Sequence, residues 1–447
     1  MDEGGKRGSL GPGVGGRARL PLPRLPREHE AAEGDRDRDE RGREVAQRRA
    51  ESAERIGRMA EAAGIRKVDV IAWRDLDDVE AGGSELHADE ILQRWAEGGI
   101  DVRLWTSRVD GAARHIIRNG YSVNRRAGRY AVFPRTAIAG LRGKLGTGDG
   151  LVEIWNGMPF FSPVWSRTPR IVFLHHVHAE MWDMVLSPRM APLGRTLENR
   201  FAPPFYRRTE IVTLSNSAKD DLVRKLRHSA ERVTVVPPGV DPRFVPAGRA
   251  GTAGTAGTAG TAGTLSPNPL VIAVGRLVPV KRFDLFIEAM VALRQVHPTL
   301  EAMIVGEGYE RPLLEAQIAA ADAGHWISLP GRLPDAALVS AYQRAWVVAS
   351  TSSHEGWGMT LTEAAACGTP AVATKIPGHE DAIIDDQSGF LVSTLPEMID
   401  AIGSILANPM LRRRLSQGAL RRVEGMTWER AAFLALEALA SRVTLSR

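Results

Sequence analysis

The apolar residues of this chain fall into two series of short runs that alternate with segments of helical spacing. The first series begins near Lys67, and the second begins at Leu270, after a segment rich in Ala, Gly and Thr. Short apolar runs bounded by Gly and polar residues are typical of strands buried on both faces. Because strands that alternate with helices indicate a parallel sheet covered on both sides, the pattern predicts two doubly wound α/β domains facing each other across a cleft.

The predicted elements follow from these runs and from the glycines that end them. The predicted strands are 68–73, 100–105, 152–155, 171–174 and 211–214 in the first series, and 270–274, 302–305, 326–329, 345–349 and 371–374 in the second. The predicted helices are 84–98, 283–295, 311–321, 335–342 and 362–367, with further helices beyond Leu395. Both domains therefore repeat the same strand–helix order.

The residues outside the two series set the domain boundaries. Residues 1–66 hold 15 Arg or Lys and 13 Asp or Glu with few aromatic or β-branched residues, so a disordered charged tail is predicted there. Five Ala-Gly-Thr repeats predict a low-complexity linker over 246–268. The two predicted domains then span 67–245 and 269–425, and a last helical segment spans 426–447.

The bulk composition narrows the class of protein. Hydrophobic residues make up 43% of the chain and charged residues 25%, as in globular proteins. No apolar run is long enough to predict a transmembrane helix, and the N-terminus lacks the apolar core of a secretory signal. The single cysteine, Cys367, excludes an internal disulfide framework and favours a cytoplasmic location, with Cys367 as a small core residue.

The positive charge is concentrated in one stretch. From Arg103 to Lys144, ten basic residues stand against one acid, Asp110, which gives a net charge of +9. Such a surface attracts anionic lipid or an anionic substrate, and it motivates the hypothesis of peripheral contact with the inner face of an anionic membrane. A solvated loop face is the alternative. Nucleic acid is not an expected partner, because no helix-turn-helix, zinc or aromatic RNA-binding pattern accompanies the run.

The most informative segment joins a predicted strand to a predicted helix between Glu355 and Glu363. A strand, a glycine loop and a helix N-terminus form the usual ligand position of α/β sheets. Gly356 and Gly358 let backbone N–H groups approach a ligand, and the carboxylates can accept hydrogen bonds from hydroxyls. These features suit a nucleotide sugar. The alternative is a capping box from Thr360, in which Glu363 only satisfies a backbone N–H.

Three further loops at predicted strand ends carry candidate ligand groups. Arg276 and Lys281 follow the first strand of the second domain, where they could clamp a diphosphate. Gly306 follows the next strand, and Arg332 and Leu333 follow the one after, where backbone groups could receive a nucleobase. Each loop alone is common. Together they are expected to meet at one edge of the sheet, because all follow strands of one domain.

These motifs together resemble the retaining glycosyltransferases of family 4, which have the GT-B fold of two Rossmann-like domains. The resemblance extends from about residue 67 to the C-terminus, apart from the Ala-Gly-Thr insert. The matching motifs are Gly82-Gly83-Ser84-Glu85, Gly275-Arg276-Leu277 with Lys281, Gly306-Glu307-Gly308, Gly331-Arg332-Leu333, and Glu355-Gly356-Trp357-Gly358 with Glu363. The resemblance implies donor binding by the second domain, acceptor selection by the first, and a last helix that crosses back to the first domain.

The resemblance also implies roles for the matching positions. Arg276 and Lys281 would bind the donor diphosphate, Glu363 the ribose hydroxyls, and Glu355 the hydroxyls of the transferred sugar. Further substrate contacts are expected from Gly82, Gly83, Gly306, Arg332, Leu333, Gly356, Trp357, Gly358, Met359 and Thr360. Trp357 stands where the family more often has Phe, so an aromatic ring is kept. The family does not need a bound metal, and no metal or other cofactor is expected.

A histidine cluster, His175, His176 and His178, follows the predicted strand 171–174. From the residues alone, a metal site and a structural role both remain open. The family resembled has one histidine at the end of the equivalent strand, near the reacting sugar and the acceptor. Since His175 aligns with it best, His175 is included among the catalytic residues.

The resemblance therefore implies an enzyme that moves a hexose, of mannose or glucose type, from a nucleotide diphosphate sugar to an acceptor glycan or glycolipid. The anomeric configuration would be retained, with the departing phosphate deprotonating the acceptor. The alternatives are a phosphorylase or epimerase of the same fold, and a non-catalytic basic binding protein. The donor base, the acceptor and the linkage stay open.

Overall fold

The first domain of this computed structural model is built on an eight-stranded sheet. The structure describes residues 28–178, 182, 189–247 and 265–446. The strand order is β3-β4-β2-β1-β5-β6-β7-β8, and every neighbouring pair is parallel except β3 with β4. These strands are β1 (Lys67–Ile71), β2 (Asp101–Ser107), β3 (His115–Arg118), β4 (Tyr121–Ala127), β5 (Gly150–Ile154), β6 (Arg170–Phe173), β7 (Glu210–Thr213) and β8 (Val233–Val235).

Helices cover both faces of this sheet. They are α1 (Glu28–Ala63), α2 (Gly83–Glu97), α3 (Val132–Leu141), α4 (Ser162–Trp165), α5 (Ala191–Thr196), α6 (Pro203–Tyr206) and α7 (Asn216–Lys225), with a π-helical turn at Leu197–Phe201 and a 3₁₀ turn at Ala230–Arg232. The α2 helix shows how they are held, because Ile91, Leu92 and Trp95 form a fully buried stripe at helical spacing.

The second domain has a six-stranded, wholly parallel sheet in the order β11-β10-β9-β12-β13-β14. Its strands are β9 (Leu270–Val274), β10 (Glu301–Val305), β11 (Ile327–Gly331), β12 (Val347–Ser350), β13 (Ala371–Thr374) and β14 (Gly389–Val392). Its helices are α8 (Phe283–Val296), α9 (Arg311–Ala320), α10 (Asp335–Arg344), α11 (Met359–Ala366), α12 (His379–Ala382), α13 (Leu395–Ala407) and α14 (Pro409–Val423), followed by α15 (Trp428–Ser446). Two doubly wound α/β domains confirm the predicted fold class.

The N-terminal segment corrects one prediction. Residues Glu28–Ala63 form a helix, and the side chains of Ile56 and Ala60 are buried in the core of the first domain. Disorder over the whole of 1–66 is therefore wrong for this part, while residues 1–27 lie outside the described residues. The reason is that Ile56, Ala60 and Ala63 form a narrow apolar stripe at helical spacing, which a composition dominated by charges conceals.

The last helix, α15, belongs to the core of the first domain. Trp428 and Leu436 are buried with the strand residue Val68, and the Trp95 Nε1 donates to the Ala432 carbonyl oxygen at 2.9 Å. Arg94 and Glu429 form an ion pair at 2.8 Å beside this contact. The chain thus returns to the first domain after completing the second. Most of the predicted linker, 248–264, lies outside the described residues. In the part of the chain that the structure describes, no helix has the length and apolar character to span a membrane.

Candidate functional site

The carboxyl ends of β9, β10 and β11 are held together by backbone hydrogen bonds. Gly275 N–H donates to the Val305 oxygen, and Gly306 N–H donates to the Gly331 oxygen, both at 2.9 Å. Gly306 has φ +145°, and a Cβ there would lie 1.8 Å from the Gly275 oxygen, so the backbone itself requires glycine. The loops with Arg276, Gly306 and the segment after Gly331 therefore form one edge, as the sequence predicts.

Lys281 and Glu355 form an ion pair at this edge, between Lys281 Nζ and Glu355 Oε1. Ser352 Oγ donates to the same carboxylate at 2.9 Å. Burial opposes ionisation of Glu355, but the charge of Lys281 and these hydrogen bonds outweigh it and hold the pKa of Glu355 below its usual value. Glu355 is therefore a carboxylate whose charge is already matched by a cation.

Glu363 lies in the second turn of α11 in a different environment. The Tyr342 hydroxyl donates to Glu363 Oε2 at 2.9 Å, and Tyr342 itself is fully buried. Burial raises the pKa of Glu363 to about 7, although the Tyr342 hydrogen bond opposes the rise. Burial and the neighbouring Glu363 charge raise the pKa of Tyr342 well above its usual value, so its hydroxyl stays a donor. One oxygen of Glu363 is fixed by Tyr342, which leaves the other to accept from a ligand.

The Gly82–Gly83 loop of the first domain meets the second domain here. Arg276 Nη1 donates to the Glu80 oxygen at 3.3 Å, and a Cβ on Gly82 would lie 3.3 Å from Arg276 Nε. A Cβ on Gly83 would lie 3.3 Å from Met359 Sδ. Side chains at these glycines would crowd the Arg276 and Met359 side chains. The structure therefore brings together Gly82, Gly83, Arg276 and Met359, which lie up to 277 positions apart in sequence (82 to 359).

The N-terminus of α11 faces this meeting point with its backbone. Gly358 has φ +95°, the left-handed conformation that lets the chain turn abruptly into the helix at Met359. The first N–H groups of an α-helix have no acceptor within it, so those of Met359 and Thr360 are available to an anion. The Trp357 ring is 3% exposed and packs in the core, so this residue can contact a ligand through its backbone alone.

The histidine cluster is divided between the interior and the second-domain loop. His175 is 5% exposed, and its Nε2 lies 3.1 Å from His87 Nδ1. Burial lowers the pKa of His175 to about 4, so its ring is neutral. The neighbouring His176 turns the other way, because a Cβ on Gly356 would lie 3.3 Å from His176 Nδ1. The sequence motif contains both rings, but it does not show which of them points toward Gly356.

His176 belongs to a second group of rings. It stacks on His178 with ring centroids 4.7 Å apart and meets the edge of His354 at 5.1 Å. Burial, with the charge of His354 as a smaller cause, lowers the pKa of His178 to about 3. Within the described residues, no group of three or more His, Cys, Asp or Glu side chains is arranged to hold a metal ion. The His176 and His178 rings, whose pKa values burial lowers, therefore form a neutral wall.

Two predicted positions lie at the rim. Arg332 is exposed, and Leu333 packs partly against the core cluster that contains Leu361. Neither has a described contact with Lys281 or Glu355. They can border a ligand that extends along the strand ends, but they do not converge on the ion pair.

Two residues near the site carry no sequence motif. Tyr342 is one, since a tyrosine on a helix gives no sign that it will reach Glu363. Asp381 is the other. Its carboxylate accepts from the N–H groups of Asn216 at 2.9 Å and Ser217 at 3.1 Å, which begin α7 of the first domain. This contact closes the first domain on the second beside the loop of Glu355.

Comparisons with known proteins establish the family. The Glycosyltransferase Family 4 model matches residues 81–244, and the Glycosyl transferases group 1 model matches residues 263–422. A D-inositol 3-phosphate glycosyltransferase of Salinispora arenicola is 33% identical over 400 residues, covering 81% of this chain and 88% of that relative. A protein of the same name from Salinispora tropica is 28% identical over 388 residues, covering 78% and 79%. The chain belongs to the family 4, group 1 glycosyltransferases and is a transferase enzyme.

Solved structures agree with this assignment at the level of the fold. Sucrose-phosphate synthase from Thermosynechococcus elongatus has a TM-score of 0.70 at 19% identity, covering 86% of this chain and 100% of that chain. The Anabaena protein HepE, solved with UDP-glucose, has a TM-score of 0.64 at 17% identity, covering 84% and 99%. The fold is therefore GT-B.

Proposed function

We propose that the protein transfers a hexose, of mannose or glucose type, from a nucleoside diphosphate sugar to a hydroxyl of an acceptor, with retention of configuration. The observation that carries the proposal is the Lys281–Glu355 ion pair just before α11, at the place where Arg276 and Met359 meet the Gly82–Gly83 loop. The names of the relatives and the UDP-glucose complex of HepE support this donor class. Phosphorylase, epimerase and binding-protein functions are the alternatives to test.

The donor diphosphate is assigned to Arg276, Lys281 and the N-terminus of α11. A guanidinium can bind two phosphate oxygens at once, and an ammonium has three N–H donors. Lys281 can therefore keep its pair with Glu355 while it binds a phosphate. The backbone N–H groups of Met359 and Thr360 add the positive end of the helix. In this proposal these groups neutralise the diphosphate without a metal ion, and activity persists in the presence of EDTA.

The two glutamates bind hydroxyls at opposite ends of the donor. Glu363 accepts from the ribose hydroxyls through the oxygen that Tyr342 leaves available. Glu355 accepts from hydroxyls of the transferred sugar, and its low pKa keeps it an acceptor across the physiological range. Glu355 is a poor proton acceptor for the same reason, and the proposal gives it no role as a base.

The transfer step follows from where charge develops. The bond between the anomeric carbon and the phosphate oxygen breaks, negative charge grows on the phosphate, and positive charge grows on the sugar ring. Arg276, Lys281 and the helix N-terminus stabilise the leaving phosphate. The acceptor oxygen attacks from the same side and passes its proton to the departing phosphate, so the new bond forms with retention. In this proposal the neutral His175 ring, held by His87 in the domain interior, supports the acceptor side of the cleft.

The acceptor is proposed to be a glycan or glycolipid whose hydroxyl lies near a phosphate. The relatives are named for an inositol phosphate acceptor, which combines a polyol with a phosphate. A cytoplasmic location is part of the proposal, and it fits the single cysteine: Cys367 is buried, and burial raises the pKa of its thiol to about 12. The thiol therefore stays protonated in the core.

Nucleotide release from a panel of GDP- and UDP-linked mannose and glucose tests this proposal. We expect slow hydrolysis of one donor by the wild type and its loss in Lys281→Ala and Glu363→Ala. Glu288→Ala is the matched control, because Glu288 is an exposed carboxylate on α8 of the same domain.

The alternatives give different outcomes in the same assay. An isomerised nucleotide sugar formed without acceptor identifies an epimerase, and a sugar phosphate formed from glycan and phosphate identifies a phosphorylase. If no donor is hydrolysed and calorimetry detects no donor binding, the protein is a non-catalytic binding protein, and the proposal is wrong.

A further inference from the structure

Four neighbouring segments of the first domain expose large apolar side chains. They are α3, α4, the π-helical turn and α6, and we name their outer surface the apolar–basic face. Its exposed apolar side chains are Ile138, Leu141, Val164, Phe201 and Phe205, each between 43% and 71% exposed. Isolated exposed apolar residues are normal on proteins, but a contiguous group marks an interaction surface.

The contacts between these segments show that the face is continuous. The Phe161 ring lies 6.0 Å from Phe201 and 5.6 Å from Phe205, and the latter two rings are 5.6 Å apart. The α3 helix packs directly on α4, since a Cβ at Gly140 would lie 2.0 Å from the Trp165 ring. The α4 helix also contacts α6, which contacts the π-helical turn. The apolar side chains therefore belong to one surface.

The charges on this face have one sign. Among the described residues, the exposed charged side chains on these segments and directly after them are basic: Arg135, Arg142, Lys144, Arg167, Arg200, Arg207 and Arg208. The one carboxylate within the segments, Glu198, is fully buried and accepts from Trp182 Nε1 at 2.9 Å. Cationic side chains therefore border the apolar ones without an exposed acid among them.

Ion pairs neutralise part of the basic stretch 103–144. Three of its arginines are paired with carboxylates at the start of the domain: Arg103 with Asp69 at 2.6 Å, Arg118 with Asp77 at 2.6 Å and Arg125 with Asp75 at 2.7 Å. Arg129 pairs in the same way with Glu80. The stretch is thus not one solvated cationic surface. Its exposed basic residues are Arg108, Arg114 and Arg126 before α3, and Arg135, Arg142 and Lys144 on and after α3.

We propose that the apolar–basic face docks on an anionic lipid bilayer. Exposed Phe, Leu and Ile side chains can enter the boundary between headgroups and acyl chains, and nearby Arg and Lys side chains are attracted to anionic headgroups. A second copy of the chain is disfavoured, because the same positive charges would face each other. Residues 1–27 are disfavoured too, since they carry six basic and two acidic side chains. Nucleic acid would use the basic residues but would gain little from exposed aliphatic ones.

The position of the face connects it to the cleft. The α3 and α4 helices follow the carboxyl ends of β4 and β5, at the same sheet edge as His175 after β6 and Gly82 after β1. The end of α3 points toward the amino edge of the sheet, where the Asp149 N–H donates to the Lys67 oxygen at 2.7 Å, so a bilayer on this face would approach the cleft at the starts of α3 and α4. An acceptor hydroxyl on a lipid headgroup could then reach the cleft without leaving the membrane. This part deepens the acceptor side of the proposed function and rests on it.

Co-sedimentation with vesicles tests the proposal, using the full chain without donor. We expect binding to phosphatidylcholine vesicles that contain phosphatidylglycerol, weak binding to phosphatidylcholine alone, and release by added salt. The triple variant R135Q/R142Q/K144Q should weaken binding at least about tenfold, because each basic side chain near an anionic surface contributes roughly a fivefold factor. The variant F201S/F205S should weaken binding to a similar extent, and the salt dependence of the remaining binding should be unchanged.

Matched variants separate the face from general charge and from misfolding. R413Q/R421Q/R430Q removes three exposed arginines elsewhere on the chain and should bind vesicles as the wild type does. I138S/L141S is a second apolar variant on α3, so the test does not depend on the fold of F201S/F205S. Donor hydrolysis should be unchanged in all of them, because none of these residues lies in the proposed site, and thermal melting identifies any variant that has lost its fold.

Three outcomes overturn the proposal. The first is no binding of the wild type to anionic vesicles. The second is binding that the face variants do not change, which would move the membrane contact to residues 1–27 or elsewhere. The third is a dimer by light scattering that F201S/F205S dissociates, or displacement from vesicles by an oligonucleotide at equal phosphate. Because donor hydrolysis is measured separately, a failure here is distinguishable from a failure of the transferase proposal.

Discussion

The two walls of the cleft differ in the charge of their side chains. The second-domain wall holds the Lys281–Glu355 pair and the charged Arg276. They lie on loops that follow strands, and backbone hydrogen bonds connect the neighbouring strand ends. The first-domain wall presents the Gly82–Gly83 loop and histidines whose pKa values burial holds low, so the rings are neutral. An anionic leaving group is thus met from one side, while the other side offers uncharged hydrogen-bonding groups. The difference assigns charge stabilisation to one domain and positioning to the other.

Removal of Lys281 should break this division most severely. We expect Lys281→Ala to lower donor hydrolysis by about 10²–10³, the usual cost of losing one preorganised group that stabilises a developing charge. The variant also leaves the half-buried carboxylate of Glu355 without its cation. Steady-state nucleotide release at saturating donor is the measurement.

Lys225→Ala is the matched control for Lys281, since Lys225 pairs with Asp221 on the outer side of α7. It should retain full activity. A loss of less than about threefold in Lys281→Ala would show that the second-domain wall does not carry the charge stabilisation.

The pH profile of donor hydrolysis should show that the two glutamates of the charged wall ionise over different pH ranges. With a pKa of about 7, Glu363 is mostly protonated near pH 6 and mostly ionised near pH 8, so hydrolysis at low donor concentration should rise about tenfold between them. Glu363→Gln should hydrolyse the donor slowly, at a rate that does not change across this pH range. A wild-type profile as flat as that of the variant would contradict the ribose role.

The same group links stability to pH. The pKa of Glu363 is raised in the folded state, so its contribution to stability is full below the usual carboxyl pKa and is lost as pH rises through about 7. The melting temperature of the wild type should therefore fall relative to Glu363→Gln over that interval. An unchanged difference between the two melting curves would argue against the raised pKa.

Single substitutions can separate the roles of the histidines in the neutral wall. We expect His175→Ala to lower hydrolysis or transfer about tenfold, since small displacements of a positioning group cost this much or more. His87→Ala should produce a smaller fall, because His87 contacts the ring of His175 and orients it. If His176→Ala lowers activity and His175→Ala does not, the role belongs to His176, whose ring lies against Gly356.

Tyr342→Phe should give the smallest effect. It removes a hydrogen bond that lowers the pKa of Glu363, so the midpoint of the pH profile should move upward, and donor affinity near pH 7 should fall about fivefold. Tyr206→Phe is the matched control: it removes a buried tyrosine hydroxyl that donates to Glu153 at 2.6 Å outside the site. It should change stability and leave the pH midpoint unchanged.

The strand ends of the second domain were the most predictable part of the molecule. Apolar runs gave β9 and β13 with their observed bounds, because a fully buried parallel strand has a distinct pattern. The β4 strand was missed since its sequence is polar. Its Arg125 is buried and paired with Asp75. Because these two residues are 50 positions apart, no short sequence motif indicates the pairing. The N-terminal helix is concealed for a related reason: its buried apolar residues are few among many charged ones, and the pairing of Arg49 with Glu97 of α2 has no local signal.

The candidate site was predictable where the backbone determines the residue. Gly306, Gly358 and the Gly82–Gly83 loop occupy close approaches or a left-handed conformation, and such positions leave a recognisable motif. Side-chain partnerships between helices leave none. Tyr342 reaches Glu363 and Asp381 caps α7 only through the tertiary fold, so these contacts could not be read from spacing.

The return of α15 to the first domain has a consequence for synthesis. The core of the first domain includes Trp428, Leu436 and Leu439, which are translated after the main core of the second domain, whose residues lie between 271 and 415. The second domain can therefore complete its core while the first still waits for its final helix. Domains usually mature in the order of their translation. In this chain the domain that is translated first is the last to be finished.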